Sequence, residues 1–278
     1  MKAIFDVCAP AKVNLFLHIV GRRDDGYHLL ESVFALIDWC DTLHFETRAD
    51  GVLHREDLGD ALPPQDLILR AARALQRASG TTQGAHIVVE KRVPSQAGMG
   101  GGSSDAASTL LALNRLWGLN FSRGTLMRIG LELGADVPFF LGGSNAWVTG
   151  IGDKMQAIAV PQTSLVVVKP TLGVATEQIF SHPALKRDSR PAILSGFVAE
   201  AFGFGRNDLQ AVAQQICPGV GQALNWLSDC GLSGRMTGSG SAVFARLLPG
   251  LELPTAPASL QVRLCSTLSA HPLQDWAV

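Results

Sequence analysis

Alternating apolar and polar residues near the N-terminus predict the first element of the fold. In residues 12–19 every second position is apolar, namely Val13, Leu15, Leu17 and Ile19. Successive side chains of a strand point to opposite faces, so this period of two predicts a strand with one buried face. Lys12 and Asn14 then lie on the other, non-buried face.

The pattern changes to a helical one in the next part of the chain. Residues 66–78 carry leucine and alanine at spacings that place them on one face of a helix. Residues 86–93 are rich in β-branched side chains, and Pro94 ends that predicted strand. A second apolar stripe predicts a helix over residues 104–117.

The second half mixes short predicted strands and helices. Residues 154–163 are predicted to be a junction between two halves, and residues 181–191, which are polar and contain two prolines, form a predicted loop. The remaining predicted elements are strands at 165–168, 242–248 and 262–266 and helices at 208–216 and 220–230. Strands and helices do not alternate regularly, which favours an α+β fold over a doubly wound parallel sheet.

Composition narrows the class of protein without naming a function. Hydrophobic residues make up 47% and charged residues 17% of the 278 residues, as in ordinary globular enzymes. The formal charge of −1 gives no indication of a nucleic-acid or membrane partner. No apolar run reaches the roughly 18–20 residues of a membrane span, and no secretory leader is evident, so we expect a cytoplasmic protein. Five scattered cysteines without a C-x-x-C pair indicate neither zinc nor redox chemistry.

A glycine-rich loop is the first candidate for chemistry. It contains four glycines within residues 98–102, a predicted strand enters it and a predicted helix leaves it. Backbone N–H groups and the positive end of the helix dipole converge on an anion in such a setting. The loop has no Gly-Lys-Ser/Thr of a Walker A motif, and Ser103 stands where the dinucleotide fingerprint needs its last glycine. A purely structural turn remains an alternative.

Three further segments carry polar groups, and each of them has a structural and a functional interpretation. Lys12 and Asn14 belong either to a solvated strand face or to a cleft in which they neutralise and orient a phosphoryl group. Asp136 precedes Pro138, so it is either a helix N-cap or a base that accepts a proton from a substrate hydroxyl. The second glycine segment, residues 235–241, is either an ordinary loop or part of the cleft lining.

Three of these segments, residues 10–15, 98–104 and 237–241, resemble the motifs of the GHMP kinases in the order in which that family carries them. The family takes its name from the galacto-, homoserine, mevalonate and phosphomevalonate kinases. With Gly26-Tyr27-His28 and residues 134–138 added, the chain most resembles the members that phosphorylate a cytidine-diphosphate-linked methylerythritol.

The resemblance implies a two-domain α+β fold with ATP and substrate in the cleft between the domains. We expect an N-terminal ATP-binding domain over residues 1–158 and a C-terminal domain over residues 159–278. The implied reaction moves the ATP γ-phosphate to the 2-hydroxyl of the methylerythritol part, in the non-mevalonate route to isoprenoids. Lys12 and Asp136 match the catalytic pair of the family. The ATP loop matches at Pro94, Gly98, Met99, Gly100, Gly101, Gly102, Ser103 and Ser104.

The resemblance also implies residues for the two bases. Tyr27 and Phe180 match aromatic residues that sandwich the cytosine ring, and His28 matches the residue that reads its edge. Lys91 matches a residue near the adenine, and Asp66 stands where the family has an asparagine there. Further expected substrate contacts come from Asn14, Thr237 and Gly238.

The metal is less well defined than the nucleotide. Asp105 follows the loop and adds a negative charge near a polyphosphate, which we expect Mg²⁺ to offset. No metal ligand can be assigned from the pattern, and Ser104 is only a guess. The expected partner is a small molecule, with no nucleic acid and no membrane, and the chain is expected to be a monomer or a homodimer.

Other functions stay open at this point. Another kinase of the same family, acting on homoserine or mevalonate, shares the three motifs. A catalytically silent nucleotide- or sugar-binding module on the same fold is a second alternative, and an RNA-associated protein is a third. The pairing of Tyr27 with His28 disfavours the first, and the presence of both Lys12 and Asp136 disfavours the second.

Overall fold

The computed structural model describes residues 2–277, and within them the chain forms ten strands, eight α-helices and one short 3₁₀ helix. The strands are β1 (Ala3–Arg22), β2 (His28–Arg48), β3 (Leu53–Leu58), β4 (Gly84–Glu90), β5 (Ala146–Thr149), β6 (Lys154–Ala157), β7 (Ser164–Pro170), β8 (Arg235–Met236), β9 (Val243–Arg246) and β10 (Leu260–Ser266). The helices are α1 (Leu67–Ser79), α2 (Gly101–Leu116), α3 (Arg123–Leu133), α4 (Val137–Gly142), α5 (Thr176–Ser181), α6 (Leu194–Ala199), α7 (Gln210–Ile216), α8 (Pro218–Asp229) and the 3₁₀ helix Gln274–Trp276.

The first sheet contains the six strands of the first half. Its order is β3-β4-β2-β5-β6, and β1 pairs with β2 as an additional strand. All of its pairs are antiparallel except β3 with β4. Helices α1 to α4 pack their apolar residues against this sheet and form the largest core.

The second sheet has four antiparallel strands in the order β10-β7-β9-β8. Residues 165–168 of β7 are all apolar and buried, because both faces of the strand are covered. Val166 and Val168 pack with α7 and α8, whereas Leu165 and Val167 face a third core that they share with Val13 of β1. This third core joins the two sheets. Helices and strands are segregated in this way, which confirms the predicted α+β class.

The predicted one-sided burial of the first strand is wrong. Residues 10–17 of β1 are all buried, and the side chains of Lys12 and Asn14 are only 4% and 1% exposed. The second face is covered by the glycine-rich loop and by residues 237–241, which come from distant parts of the chain. The solvated-face alternative for Lys12 and Asn14 is therefore excluded.

The C-terminal segment returns to the first half. After β10, Leu273 and Ala277 join the core under α1 to α4, and Arg123 of α3 donates to the carbonyl oxygen of Ala277 at 2.7 Å. The first sheet ends at β6 and the second begins at β7. The domain division at residue 158 stays a prediction.

Candidate active site

The glycine-rich loop leads from β4 into α2. Gly98 and Gly100 both have φ of +71°, a backbone conformation that residues with a Cβ rarely adopt. Gly100 occupies the N-cap of α2 and offers no side chain to cap it, and the helix begins at Gly101 rather than at the predicted residue 104. The first amides of a helix have no partner within it, so this loop presents donors to an anion.

The second glycine segment packs directly on this loop. The Oγ1 of Thr237 donates to the carbonyl oxygen of Gly98 at 3.3 Å, and the backbone N–H of Ser241 donates to that of Gln96 at 3.1 Å. A Cβ on Gly98 would lie 2.2 Å from the carbonyl oxygen of Thr237. Gly98 is therefore required both for its left-handed conformation and for the contact between the two segments.

Replacing Gly98 with alanine should raise the KM for ATP by at least about 10-fold and lower the free energy of unfolding by about 2 kcal/mol, since left-handed strain and a backbone clash combine. Steady-state kinetics and urea unfolding measure the two effects. Gly118→Ala is the matched control, because Gly118 has φ of +65° with nothing within 4 Å of the added Cβ. Equal effects of the two substitutions would mean that the contact with Thr237 is unimportant.

Lys12 lies at the centre of the site and is held by its neighbours. Its Nζ donates to Oδ1 of Asn14 at 2.6 Å and to the carbonyl oxygen of Gly98 at 3.0 Å, and it lies 4.8 Å from the centre of the Phe34 ring. Burial lowers the pKa of Lys12, and the charge of Asp136 opposes this change. A buried ammonium beside an anion-binding loop can neutralise charge on a phosphoryl group.

The side chain of Asn14 supports Lys12. Its amide nitrogen donates to Oγ of Ser32 at 2.9 Å, and its oxygen accepts from Lys12. Both polar groups are therefore engaged inside the protein. The backbone N–H of Asn14 also donates to Thr237. A direct contact of Asn14 with substrate stays a prediction.

Asp136 precedes α4 but does not cap it. Its side chain makes no capping hydrogen bond, and its Oδ2 lies 4.0 Å from Nζ of Lys12. The side chain is 34% exposed, so a substrate can reach it. The carboxylate is thus directed at Lys12 and the cleft, which supports the second of the two readings of its sequence position.

A cavity of about 710 Å³ brings most of the predicted residues together. It reaches from the β4 end, where Leu67 and Val93 give it apolar walls, to the side formed by Leu30 and Phe180. The predicted site residues that line it are Lys12, Asn14, Lys91, Pro94, Gly98, Met99, Gly100, Gly101, Gly102, Ser103, Asp136, Phe180 and Gly238.

Five predicted residues lie outside this lining: Thr237, Ser104, Tyr27, His28 and Asp66. Thr237 is buried behind it and bonds to Asn14 and Gly98. Ser104 is buried as well, and its Oγ has no hydrogen-bond partner among the described residues. Tyr27 and His28 lie beyond the Phe180 side of the cavity.

Asp66 has a structural position at the start of α1. Its carboxylate accepts hydrogen bonds from the backbone N–H groups of Ile68 and Leu69 and pairs with Arg55 at 2.6 Å. Asp66 therefore caps this helix, as aspartate commonly does. Its expected contact with adenine stays a prediction.

Lys91 lies between two buried carboxylates behind the loop. Its Nζ donates to Oδ2 of Asp41 and, at 2.5 Å, to Oδ2 of Asp105. Asp41 also accepts from the backbone N–H groups of Arg92 and Val93, which begin the loop. Burial raises the pKa of Asp105 to about 8. The charge of Lys91 opposes this rise, whereas the neighbouring carboxylate of Asp41, which shares the same ammonium, adds to it. With this raised pKa Asp105 is mostly protonated at pH 7, so it adds little of the expected negative charge near the polyphosphate.

The side of the site where we expect a base to bind is formed by both halves of the chain. The His28 ring lies 5.2 Å from that of Phe180, with 39° between the ring planes. Tyr27 sits in a turn and is 60% exposed. Among the described residues, the ring contact of Phe180 is with His28 and not with Tyr27. The sandwich of a base between Tyr27 and Phe180 stays a prediction.

Two residues of the site were missed by sequence reasoning. Asp41 anchors the start of the loop, and Arg187 donates to Nε2 of His28 at 3.0 Å. Asp41 lies in β2, a strand of 21 residues that the pattern did not predict. Arg187 lies in the polar segment that was predicted as a loop. Neither carries a local sequence signal.

No metal-binding cluster accompanies these residues. Within residues 2–277, no group of three or more His, Cys, Asp or Glu side chains is arranged to hold a metal ion. The protein ligands of a magnesium ion therefore stay unassigned. In the same part of the chain, no helix combines the length and apolarity needed to cross a bilayer.

Comparison with known families decides the classification. The model of the GHMP kinases N terminal domain matches residues 66–144, and that of the GHMP kinases C terminal domain matches residues 190–266. The chain belongs to the GHMP kinase family. The N-terminal GHMP kinase match contains the glycine-rich loop and Asp136, and the C-terminal match contains the segment around Thr237.

Curated relatives within the GHMP kinases resemble the whole chain. The 4-diphosphocytidyl-2-C-methyl-D-erythritol kinase of Albidiferax ferrireducens is 67% identical over 278 residues, which cover 100% of this chain and 97% of the relative. The enzyme of the same name from Acidovorax ebreus is 61% identical, with 99% of each chain covered.

Solved structures agree with this classification. A crystal structure of 4-(cytidine 5′-diphospho)-2C-methyl-D-erythritol kinase superimposes with a TM-score of 0.79 at 33% identity and covers 94% of this chain and 98% of its own. The homoserine kinase of Cytophaga hutchinsonii has a TM-score of 0.69 at 17% identity, with 98% of this chain and 96% of its own covered. At that identity only the fold is shared.

Proposed function

We propose that this chain is a kinase that transfers the γ-phosphoryl group of ATP to the 2-hydroxyl of 4-diphosphocytidyl-2-C-methyl-D-erythritol. The observation that carries the proposal is the pair of Lys12 and Asp136, 4.0 Å apart in a cavity whose wall is the glycine-rich loop. The name and the near-complete coverage of the curated relatives support the choice of acceptor.

The loop fits the phosphates of ATP. Its left-handed glycines leave space that a Cβ would fill, and a Cβ on Gly100 would approach Phe140 to 3.0 Å and Lys12 to 3.4 Å. Backbone amides and the N-terminus of the 16-residue helix α2 face the same region. Apolar Leu67 and Val93 offer a surface for a purine at the β4 end. Mg²⁺, when bound with the nucleotide, would neutralise phosphate charge.

The transfer is a direct in-line displacement without a phosphoenzyme. The substrate 2-hydroxyl oxygen forms the new bond to the γ-phosphorus, and the bond from that phosphorus to the β–γ bridging oxygen breaks. ADP leaves with the electron pair, and the hydroxyl proton passes to a carboxylate oxygen of Asp136. Lys12 donates hydrogen bonds to the transferring group, and Asn14 holds its ammonium in place.

The acceptor extends along β2 in this proposal. Phe34 lies against Lys12, Leu30 lines the cavity, and His28 begins the strand. At ~3.3 Å per residue, the six residue-to-residue steps from Phe34 to His28 span about 20 Å. An elongated substrate can therefore place its alcohol near Asp136 and its cytosine near His28 and Phe180. A cytoplasmic location, as expected from the sequence, is part of the proposal.

An assay of ATP consumption with separate acceptors tests the proposed function. We expect kcat/KM for 4-diphosphocytidyl-2-C-methyl-D-erythritol to exceed that for homoserine or mevalonate by at least about 10⁴-fold, because a site built to hydrogen-bond a base strongly rejects acceptors without one. Turnover of homoserine or mevalonate at a comparable rate would overturn the choice of acceptor. Absence of phosphoryl transfer to any of them would favour a silent binding module.

A further inference from the structure

Arg187 connects the end of α5 to His28. Its Nε donates to Nε2 of His28 at 3.0 Å. Its other nitrogens donate to three backbone carbonyls, those of Leu185 at 2.9 Å, His182 at 2.9 Å and Phe180 at 3.3 Å. One guanidinium therefore holds both the residue whose ring faces His28 and the imidazole itself.

The bond between Arg187 and His28 determines where the imidazole carries its hydrogen. A guanidinium has only donors, so Nε2 of His28 must be the acceptor, and in the neutral ring the hydrogen is then on Nδ1. The described residues place no acceptor within hydrogen-bond distance of Nδ1. Burial together with the charges of Arg187 and Arg22 lowers the pKa of His28, which keeps the ring neutral.

We propose that Arg187 is a specificity-determining positioning residue, which holds His28 as the tautomer with hydrogen on Nδ1 and ties it to Phe180, so that the site prefers cytosine to uracil. This inference rests on the proposed function. The Nδ1–H is a donor that suits N3 of cytosine, which accepts a hydrogen bond. In uracil N3 carries a hydrogen, so the N3–H donor would face the Nδ1–H donor of His28 with no acceptor between them.

The tautomer is measured on the free wild-type protein. Histidine ¹⁵N labelling with long-range ¹H–¹⁵N spectra distinguishes the two ring nitrogens, and the spectrum of His28→Ala assigns the resonances. We expect hydrogen on Nδ1 and none on Nε2. Hydrogen on Nε2 would overturn the proposal whether or not any variant folds, and whether or not the chain turns over a cytidine substrate.

Binding and kinetics of Arg187→Met test the specificity. We expect calorimetry to show at least about 10-fold tighter binding of cytidine diphosphate than of uridine diphosphate by the wild type, and about 3-fold or less by the variant. The KM for the cytidine acceptor should rise at least about 10-fold, while kcat and the KM for ATP change by less than about 3-fold. Arg190→Met is the matched control, because Arg190 is exposed and close in sequence, and it should behave as wild type.

A double substitution separates action through His28 from a general structural effect. If Arg187 acts through His28, adding Arg187→Met to His28→Ala should cause little further loss of base preference. Additive losses, or an unchanged preference in Arg187→Met alone, would contradict the proposal. Failure of the wild type to use the cytidine acceptor would instead remove the proposed function, and the tautomer measurement would still decide the role of Arg187.

Discussion

Replacing Asp136 with asparagine should lower kcat by at least about 100-fold. The asparagine amide cannot accept the hydroxyl proton, and a positioned base typically contributes 10²–10⁴-fold. The KM for ATP should change little, because the nucleotide phosphates are bound by the loop. Steady-state kinetics with ATP and the cytidine acceptor measure both parameters.

The asparagine variant also separates catalysis from helix capping. The Asp136 side chain makes no capping hydrogen bond, and asparagine is as good an N-cap residue as aspartate, so the substitution removes no cap from α4. The free energy of unfolding should therefore stay within about 0.5 kcal/mol of the wild-type value. Near-normal turnover in Asp136→Asn would exclude this residue as the base, and a loss of activity accompanied by unfolding would leave the base assignment without support.

Replacing Lys91 with methionine should lower the free energy of unfolding by about 3 kcal/mol at pH 7. The substitution removes the cation between Asp41 and Asp105, whose side chains are 0% and 3% exposed, and breaking a buried ion pair strongly destabilises a protein. Urea unfolding monitored by fluorescence measures the loss. Lys154→Met is the matched control, since Lys154 is exposed, and it should change the unfolding free energy by no more than about 0.5 kcal/mol.

The loss in Lys91→Met should grow as the pH rises. A carboxyl whose folded pKa is raised contributes stability that is full below its unfolded pKa of 3.8 and is lost as the pH rises through the folded pKa. In the wild type this fall in the free energy of unfolding ends near pH 8, where Asp105 ionises in the folded state. Without Lys91 the folded pKa of Asp105 moves higher, and the loss continues above pH 8.

The double variant Lys91→Met, Asp105→Asn provides the control for this pH effect. Asparagine can donate to Asp41 as a protonated carboxyl does, but it does not ionise. The free energy of unfolding of the double variant should therefore not show the fall between pH 7 and pH 9 that Lys91→Met shows, because residue 105 no longer titrates. If the difference in unfolding free energy between the wild type and Lys91→Met does not increase from pH 7 to pH 9, the charge argument is contradicted.

Local patterns predicted the elements near the glycine-rich loop well. The predicted strand 86–93 and helix 66–78 correspond to β4 and α1, because turn residues and single-face apolar stripes determine such segments locally. Strand β2 was missed, since residues 33–37 are apolar and buried on both faces and lack a period of two. The start of α2 was placed three residues late because glycines oppose helix formation in isolation.

The sequence alone determined the motifs and their order. The glycines that accept a left-handed backbone, the lysine and aspartate of the proposed catalytic pair, and the resemblance to the GHMP kinases are all properties of short segments. These properties are local because backbone conformation and side-chain chemistry belong to individual residues.

Only the tertiary structure decided which of these groups act together. Thr237 bonds to Asn14 although 223 residues separate them, and Arg187 bonds to His28 across 159 residues. Lys12 became a buried cation because distant segments cover its strand. Contacts of this kind depend on how two sheets pack around a shared core, and no spacing in the sequence specifies that packing.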